Sequence, residues 1–532
     1  MPGQQSSGRD QVRTAEVMAA LCLATDLGMG FPMEHGLHST LLAMRLCDLL
    51  DVDDETRSQA FPICLLFYIG CTADAEIAAD LFEEGALLAH FTPVAFGAPT
   101  ETMAGIVRAL AGSRGAAPAR AMRVARSMPR ALMGHRRHID ALCEVGVMLS
   151  GRLGMRPAVQ RLFEFHTERW DGRAYPGRYR GEDIPLAVRI AHVARDGMLQ
   201  HTIGGVSHAA DVVQARSGGA FDPTIASLFA RHASELLDLG GVGSTWEETL
   251  AAEPRPWSVL DDDAIDAALA AMGNFADLVS PYLVGHSGGV ATLAAAAGQQ
   301  YGFGADDVVT LRRASYVHDI GRVAISAHAW QKAGPLTTDE WERIRLHAYH
   351  SGRVLCRSEF LNQLADCATC HHERVDGSGY HRGATGGVLS SAARLLAAAD
   401  AYHAMTERRP HRAAMTADQA AASLEREANE GRLDASCVSA VLTAAGHRPH
   451  RLQRPAGLTE REAQVLGLLA HGFQTKQVAR ALGVSTKTAD RHVQNAYAKI
   501  GVSTRAAAAL FAMQHGLTTW GELPMGDASS RL

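Results

Sequence analysis

An internal repeat sets the strongest limit on how this chain can fold. Glu34-His35-Gly36 is matched by Gly285-His286-Ser287, and Leu66-Phe67-Tyr68-Ile69-Gly70-Cys71 by Val317-His318-Asp319-Ile320-Gly321-Arg322, both at an offset of 251 residues. Farther on, the run His166 to Gly172 pairs with His371 to Gly377, and Arg189 to Arg195 with Arg394 to Asp400, now at an offset of 205. Two motif pairs at constant offset in each half mark a tandem duplication. The change of offset places 46 extra residues in the first copy, expected within residues 72–120.

The spacing of apolar residues is helical throughout. Leu41, Leu42, Met44, Leu46 and Leu49 repeat as one helix face, and strand alternation is scarce. An all-α chain is expected: a first copy over residues 13–238, a polar connector over 239–263, a second copy over 264–445, a basic connector over 446–457 and a last unit over 458–520. With 532 residues there is enough chain for two to four cores. A hydrophobic fraction of 47% against 20% charged residues describes a globular protein, not a disordered one. The net charge of −6 excludes a generally basic nucleic-acid coat, so any DNA contact must be local. Nine scattered cysteines without framework spacing predict free thiols in a reducing compartment. No signal pattern opens the chain, and the apolar run from Phe61 to Cys71 is too short to span a bilayer. A cytoplasmic location without a membrane partner is expected.

The second copy carries seven metal-ligand types: His286, His318, Asp319, His347, His371, His372 and Asp400. Histidine and aspartate suit Mn, Fe or Zn. His318 and Asp319 are adjacent, so on a helix they diverge by roughly 100° and can serve neighbouring ions. Two ions roughly 3.5–4 Å apart would clamp a phosphodiester and activate water, with no need of a Ser or Cys nucleophile. The first copy has lost this set. The matching positions hold His35, Phe67, Tyr68, Leu142, His166, Thr167 and Arg195, and Arg195 puts a guanidinium where the second copy has an acid. Cys367-Ala-Thr-Cys370-His371 has the form of a c-type haem attachment, but His371 belongs to the metal set and the two thiols read as core.

These runs, with Glu373 and Asp376-Gly377-Ser378-Gly379-Tyr380, resemble the HD-GYP phosphohydrolases of the HD superfamily. The resemblance implies a helical bundle holding two divalent metal ions, iron or manganese, and hydrolysis of cyclic di-GMP. His286, His318 and Asp400 would hold one ion and His347, His371 and His372 the other, with Asp319 bridging. Asp319 and Arg322 would be the catalytic pair; Arg322 stands where the family has Lys and retains phosphate-binding chemistry. The family's Gly-Tyr-Pro is Gly379-Tyr380-His381 here. Tyr282 and His403 replace acids that hold a third metal in some members, so two ions are expected.

Residues 458–515 read as four short helices. Thr459 and Glu462 form a capping box, Gln477 to Leu482 makes the second helix, and Ser485 caps a third that runs from Thr486 to Ile500 and ends at Gly501. Between Pro455 and Trp520 seven basic residues face three acidic ones, a local patch suited to phosphates. Leu458 to Glu462, Lys487-Thr488, His492, Tyr497, Lys499 and Gly501 to Arg505 resemble the LuxR-type DNA-binding domain. By helix phase Thr486, Lys487, Asp490, Arg491, Gln494 and Asn495 face the major groove, while Lys476, Thr488, His492 and Lys499 take phosphate or packing roles. The resemblance implies binding to DNA as a homodimer, with the last helix (Ala506 to His515) as the interface. The combined expectation is a bacterial signalling protein joining a phosphodiesterase to transcription control. Two alternatives stand beside it: a regulator that senses a nucleotide or metal without turnover, and a hydrolase of another phosphorylated nucleotide.

Overall fold

The computed structural model describes residues 12–518 except Cys71, Ala73, Asp74, Arg114, residues 240–242, residues 447–454 and Gly516. It is 69% helical, and the described residues form isolated bridges but no sheet. Most of both connectors' Gly-rich and basic runs (240–242 and 447–454), together with residues 1–11 and 519–532, lie outside the described residues.

The two copies share their local architecture. His35–Leu49 and His286–Tyr301 each begin after a residue with left-handed backbone, Glu34 (φ 76°) and Gly285 (φ 81°). In each copy a buried aspartate closes that turn. Gly36 donates its N–H to Asp26, and Ser287 donates its N–H to Asp277 at 2.9 Å. Gly70 and Gly321 repeat one close approach. A Cβ on Gly70 would lie 2.4 Å from the carbonyl oxygen of Leu142, and one on Gly321 would lie 2.1 Å from that of His347. Only glycine fits there, because the backbone of a neighbouring helix occupies the side-chain position. Glu168 and Glu373 each accept an N–H from the loop that follows, from Arg178 at 2.9 Å and from Arg382 at 3.1 Å.

The extra residues of the first copy form helices Ala75–Leu81, Ala86–His90 and Pro99–Ala111 and lead into a long helix, Ala117–Arg152. The connector expected over 239–263 is not a bare linker. Thr245–Ala251 is a helix packed on His35–Leu49, with Trp246 and Leu250 buried. Arg13 fastens its far end by pairing with Glu253 and donating to the carbonyl of Leu250 at 2.7 Å. Two apolar side chains one turn apart outweighed the polar run around them.

The last unit contains Glu460–Ala470, Thr475–Ala481, Thr486–Ile500 and Arg505–Gln514. Thr459 caps the first helix and Ser485 the third, and Gly501 ends the third at φ 72°. The second helix begins two residues earlier than expected, because Gln474 and Gln477 cap it reciprocally. Val465, Leu468, Phe473, Val478, Leu482 and Val493 make a small core of its own. Its other side joins the main hydrophobic cluster of the two copies.

Candidate metal centre and nucleic-acid face

The seven predicted ligands converge in the second copy, although they come from five separate segments. His286 starts its helix, His318 and Asp319 follow Ala305–Val317, His347 starts His347–Leu355, His371 and His372 follow Glu359–Ala368, and Asp400 lies in Ser391–Thr406. His286, His318, Asp319 and Asp400 bring ligand atoms within 4.8 Å of one another, and so do Asp319, His347, His371 and His372. Asp319 belongs to both groups.

The backbone orients the imidazoles. Nδ1 of His318, His347 and His371 each meets a carbonyl three residues earlier: Ser315 at 2.7 Å, Ile344 at 2.5 Å and Ala368 at 2.6 Å. With Nδ1 directed at a backbone carbonyl, each Nε2 points to the centre, a common arrangement for histidine ligands. Nε2 of His347 and Nε2 of His371 stand 3.1 Å apart. Two lone pairs that close repel unless a cation lies between them. His318 Nε2 and both carboxylate oxygens of Asp319 are buried and make no well-aligned hydrogen bond, although His318 Nε2 lies 2.8 Å and Arg322 Nη2 2.6 Å from Asp319 Oδ2. These buried atoms and the donor set fit metal ions.

Electrostatics divides the site. Burial disfavours charge on His318, but Asp319 beside it outweighs burial and carries the imidazole up to about 9. His286 is likewise raised, against burial, by Glu407. Burial pushes His371 down to about 4, and burial with His371 as neighbour lowers His372. Burial would raise Asp319 and Asp400, but Arg322 and His318 hold the first well below the carboxylate range and His286 and His318 the second. One side thus holds ionised carboxylates, and on the other burial keeps His371 and His372 neutral, the form that binds metal.

Arg322 is also in the centre. Its Nη2 lies 2.6 Å from Asp319 Oδ2, its ring neighbour is Trp330, and Nε and Nη1 have no hydrogen-bond partner. His372 stands at the open side, stacked on Tyr380 at 4.2 Å. Glu407 was not foreseen. It accepts from Nδ1 of His286 at 2.8 Å and also pairs with His403 and Arg409. Its spacing of seven from Asp400 was the available signal. Cys367 and Cys370 are buried free thiols, with burial pushing Cys367 up to about 12.

In the last unit Thr486, Lys487, Thr488, Asp490, Arg491, Gln494 and Asn495 are exposed, while Ala489, Val493 and Ala496 face inward. Lys476 joins Thr486, Lys487 and Asp490 around one cleft. His492 is half-buried. The hydroxyls of Thr488 and Ser485 meet at 2.8 Å within the cap. Lys499 turns inward to Glu462 at 2.7 Å, so its charge serves the unit's own packing. The last helix departs from expectation as a free dimer interface. Ala506 to Ala512 are all buried, because the helix is wedged between Glu460–Ala470, Ala117–Arg152 and Asp262–Asp277.

Residues 270–437 match the HD domain family, and residues 456–512 match the bacterial regulatory proteins of the luxR family. The chain is homologous to HD-GYP-type phosphodiesterases and carries a LuxR-type DNA-binding unit. HD-domain phosphohydrolases of this kind are metal-dependent. Among its relatives is the 3′3′-cGAMP-specific phosphodiesterase 3 of Vibrio cholerae, 27% identical over 82% of this chain and 95% of that one. Another is the cyclic di-GMP phosphodiesterase response regulator RpfG of Xanthomonas campestris, 37% identical over 27% of this chain and 38% of its own. A crystal structure of a cyclic GMP-AMP-specific phosphodiesterase from V. cholerae shares the fold, with a TM-score of 0.56 and 24% identity, over 82% of this chain and 99% of that one. No helix among the described residues is long and apolar enough to cross a membrane.

Proposed function

We propose that the second copy hydrolyses a cyclic dinucleotide at a two-metal centre and that the last unit binds DNA as a homodimer, in the cytoplasm. The observation that carries this is the convergence of four buried Nε2 atoms, from His286, His318, His347 and His371, on the two oxygens of Asp319. His286, His318 and Asp400 would hold one ion and His347, His371 and His372 the other, with Asp319 shared between the two groups; iron or manganese would suit the mixed donors. When bound, such ions polarise the phosphoryl group and activate water. Arg322 adds charge beside the non-bridging oxygens, and Glu407 fixes His286. The first copy, over residues 13–238, keeps the fold without the ligands. Residues 264–445 form the catalytic unit and 458–520 the DNA-binding unit.

The substrate set includes 3′3′-cGAMP beside cyclic di-GMP. The relative that aligns with both copies carries the first specificity, whereas RpfG aligns with only part of the chain. Metal analysis and a hydrolysis panel test the reading. The native protein should hold about two ions per chain, with His318→Ala and Asp319→Ala losing them and all turnover. Failure to cleave either cyclic dinucleotide with iron or manganese would refute the activity. In the intact chain, Lys487→Ala with Arg491→Ala should abolish retention of duplex DNA.

A further inference from the structure

The mouth of the metal site is walled by aromatic rings that the ligand set does not use. Trp341 is 44% exposed, an unusual position for an indole. It meets Tyr380 edge-to-face at 6.1 Å, and Tyr380 in turn stacks on His372 and meets His347 at 6.1 Å. The indole is therefore one ring removed from two ligand imidazoles. Arg345, one turn farther along the same helix, lies over Tyr380 at 5.5 Å and donates to the carbonyl of Gly379 at 3.1 Å. The helix is held rigidly at its start, where Thr337 and Glu340 cap reciprocally and Lys332 pairs with Glu340 at 2.5 Å. A preorganised flat ring beside a cation suits a ligand with a π-face joined to a phosphodiester.

Resting on the proposed hydrolysis of cyclic dinucleotides, we propose that Trp341 stacks one purine base of the substrate and so strengthens its binding. Trp341→Ala should raise KM for the cyclic dinucleotide about tenfold, in line with a stack worth ~1–3 kcal/mol, with kcat little changed. Metal content should stay at the native level. Trp341→Phe should restore most of the loss. An unchanged KM, or a fall in kcat alone, would overturn the assignment. Calorimetric binding of the cyclic dinucleotide keeps the two readings apart. Trp341-dependent binding without cleavage would sink the activity but support the base platform, while no binding by the native chain would sink the platform.

A separate contact concerns the last helix. Thr504 caps it, and Glu144 of the first copy grips that cap from 360 positions away. One carboxylate oxygen accepts the N–H of Ser503 at 2.9 Å and also its hydroxyl; the other accepts the N–H of Thr504 at 3.0 Å and its hydroxyl at 2.8 Å. The same unit is seated at two further points on the loop before His286. Gly472 lies against Pro281, and Thr518 fills the space beside Gly285 while accepting from Nε2 of His471 at 2.7 Å. The recognition face stays open while the last helix is covered.

We infer that Glu144 holds the DNA-binding unit in a stored position in which its last helix is withheld from a second copy. Hydrogen exchange and filter retention of randomised-sequence duplex DNA test this on the intact chain. Glu144→Ala should speed amide exchange over residues 505–514 and raise DNA retention about tenfold, with metal content unchanged. Ser503→Ala, which removes one donor, should move both readouts the same way and less. Unchanged exchange in Glu144→Ala would overturn the latch. Faster exchange with equal or weaker DNA retention would overturn its inhibitory role.

Discussion

Around His286, imidazoles and carboxylates face one another across a shared aspartate. Around His35, the same backbone positions present Phe67, Tyr68 and Arg195 instead. Arg195 is only 1% exposed, lies 4.5 Å over the Tyr68 ring, and has no hydrogen-bond partner on its Nε or either Nη. Phe67 sits 4.0 Å from His166. Burial, with Arg195 as a further cause, drives His35 down to about 3, and burial with His192 does the same to His166. The first copy thus surrounds a permanent cation with neutral histidines and rings, while the second gathers negative charge for cations from outside. The helix caps, the glycine contacts and the loop ties are common to both. A few side chains therefore separate a scaffold from a metal centre, and the fold is indifferent to which it carries.

Exchanging one of those side chains should have the largest effect. Asp400→Arg, which copies Arg195 into the second half, should abolish both metal binding and hydrolysis; normal metal content by elemental analysis would show that the acid is not a ligand. His166→Ala in the first half should leave metal content at the native level. Glu407→Gln should weaken metal affinity by roughly 10–100-fold, as expected for the group that orients a ligand histidine. Competition with a chelator measures it.

The capping aspartates give a pH test. Burial raises Asp26 from 3.8 to about 7 and Asp277 from 3.8 to about 6. An acid raised on folding favours the native state least where only the unfolded chain is ionised. Native stability should therefore fall, through Asp26, as pH rises from about 4 to about 7. Asp26→Asn keeps an acceptor for Gly36 and should remove that slope, gaining up to ~4 kcal/mol at neutral pH relative to acid. Denaturant titrations at pH 4, 5.5 and 7 decide, and parallel slopes in both proteins would refute it. Gly70→Ala should destabilise by ~1–3 kcal/mol through its clash with Leu142, with metal content untouched. Gly321→Ala, which pushes on His347, should lower metal content as well.

Much of the centre was legible because its residues lie in short runs. A histidine at a helix start or an adjacent His-Asp pair keeps its spacing in any copy of the fold, so two offsets were enough to align the halves, and the family resemblance named seven candidate ligands that the fold brings together. The exposed side of Thr486–Ile500 was readable for the same reason, since helix phase alone assigns it. Lys499 was harder, because its partner Glu462 is on another helix. Trp246 and Leu250 were passed over inside a polar run that looked like a linker.

Periodicity and motif spacing told which side chains leave each helix together, and so which copy can hold metal. They depend on local backbone geometry, which a few consecutive residues specify. Glu407 under His286 and Glu144 on the cap at Thr504 depend instead on how whole helices dock. That is decided by the summed burial of many weak contacts, and no short stretch of sequence carries it.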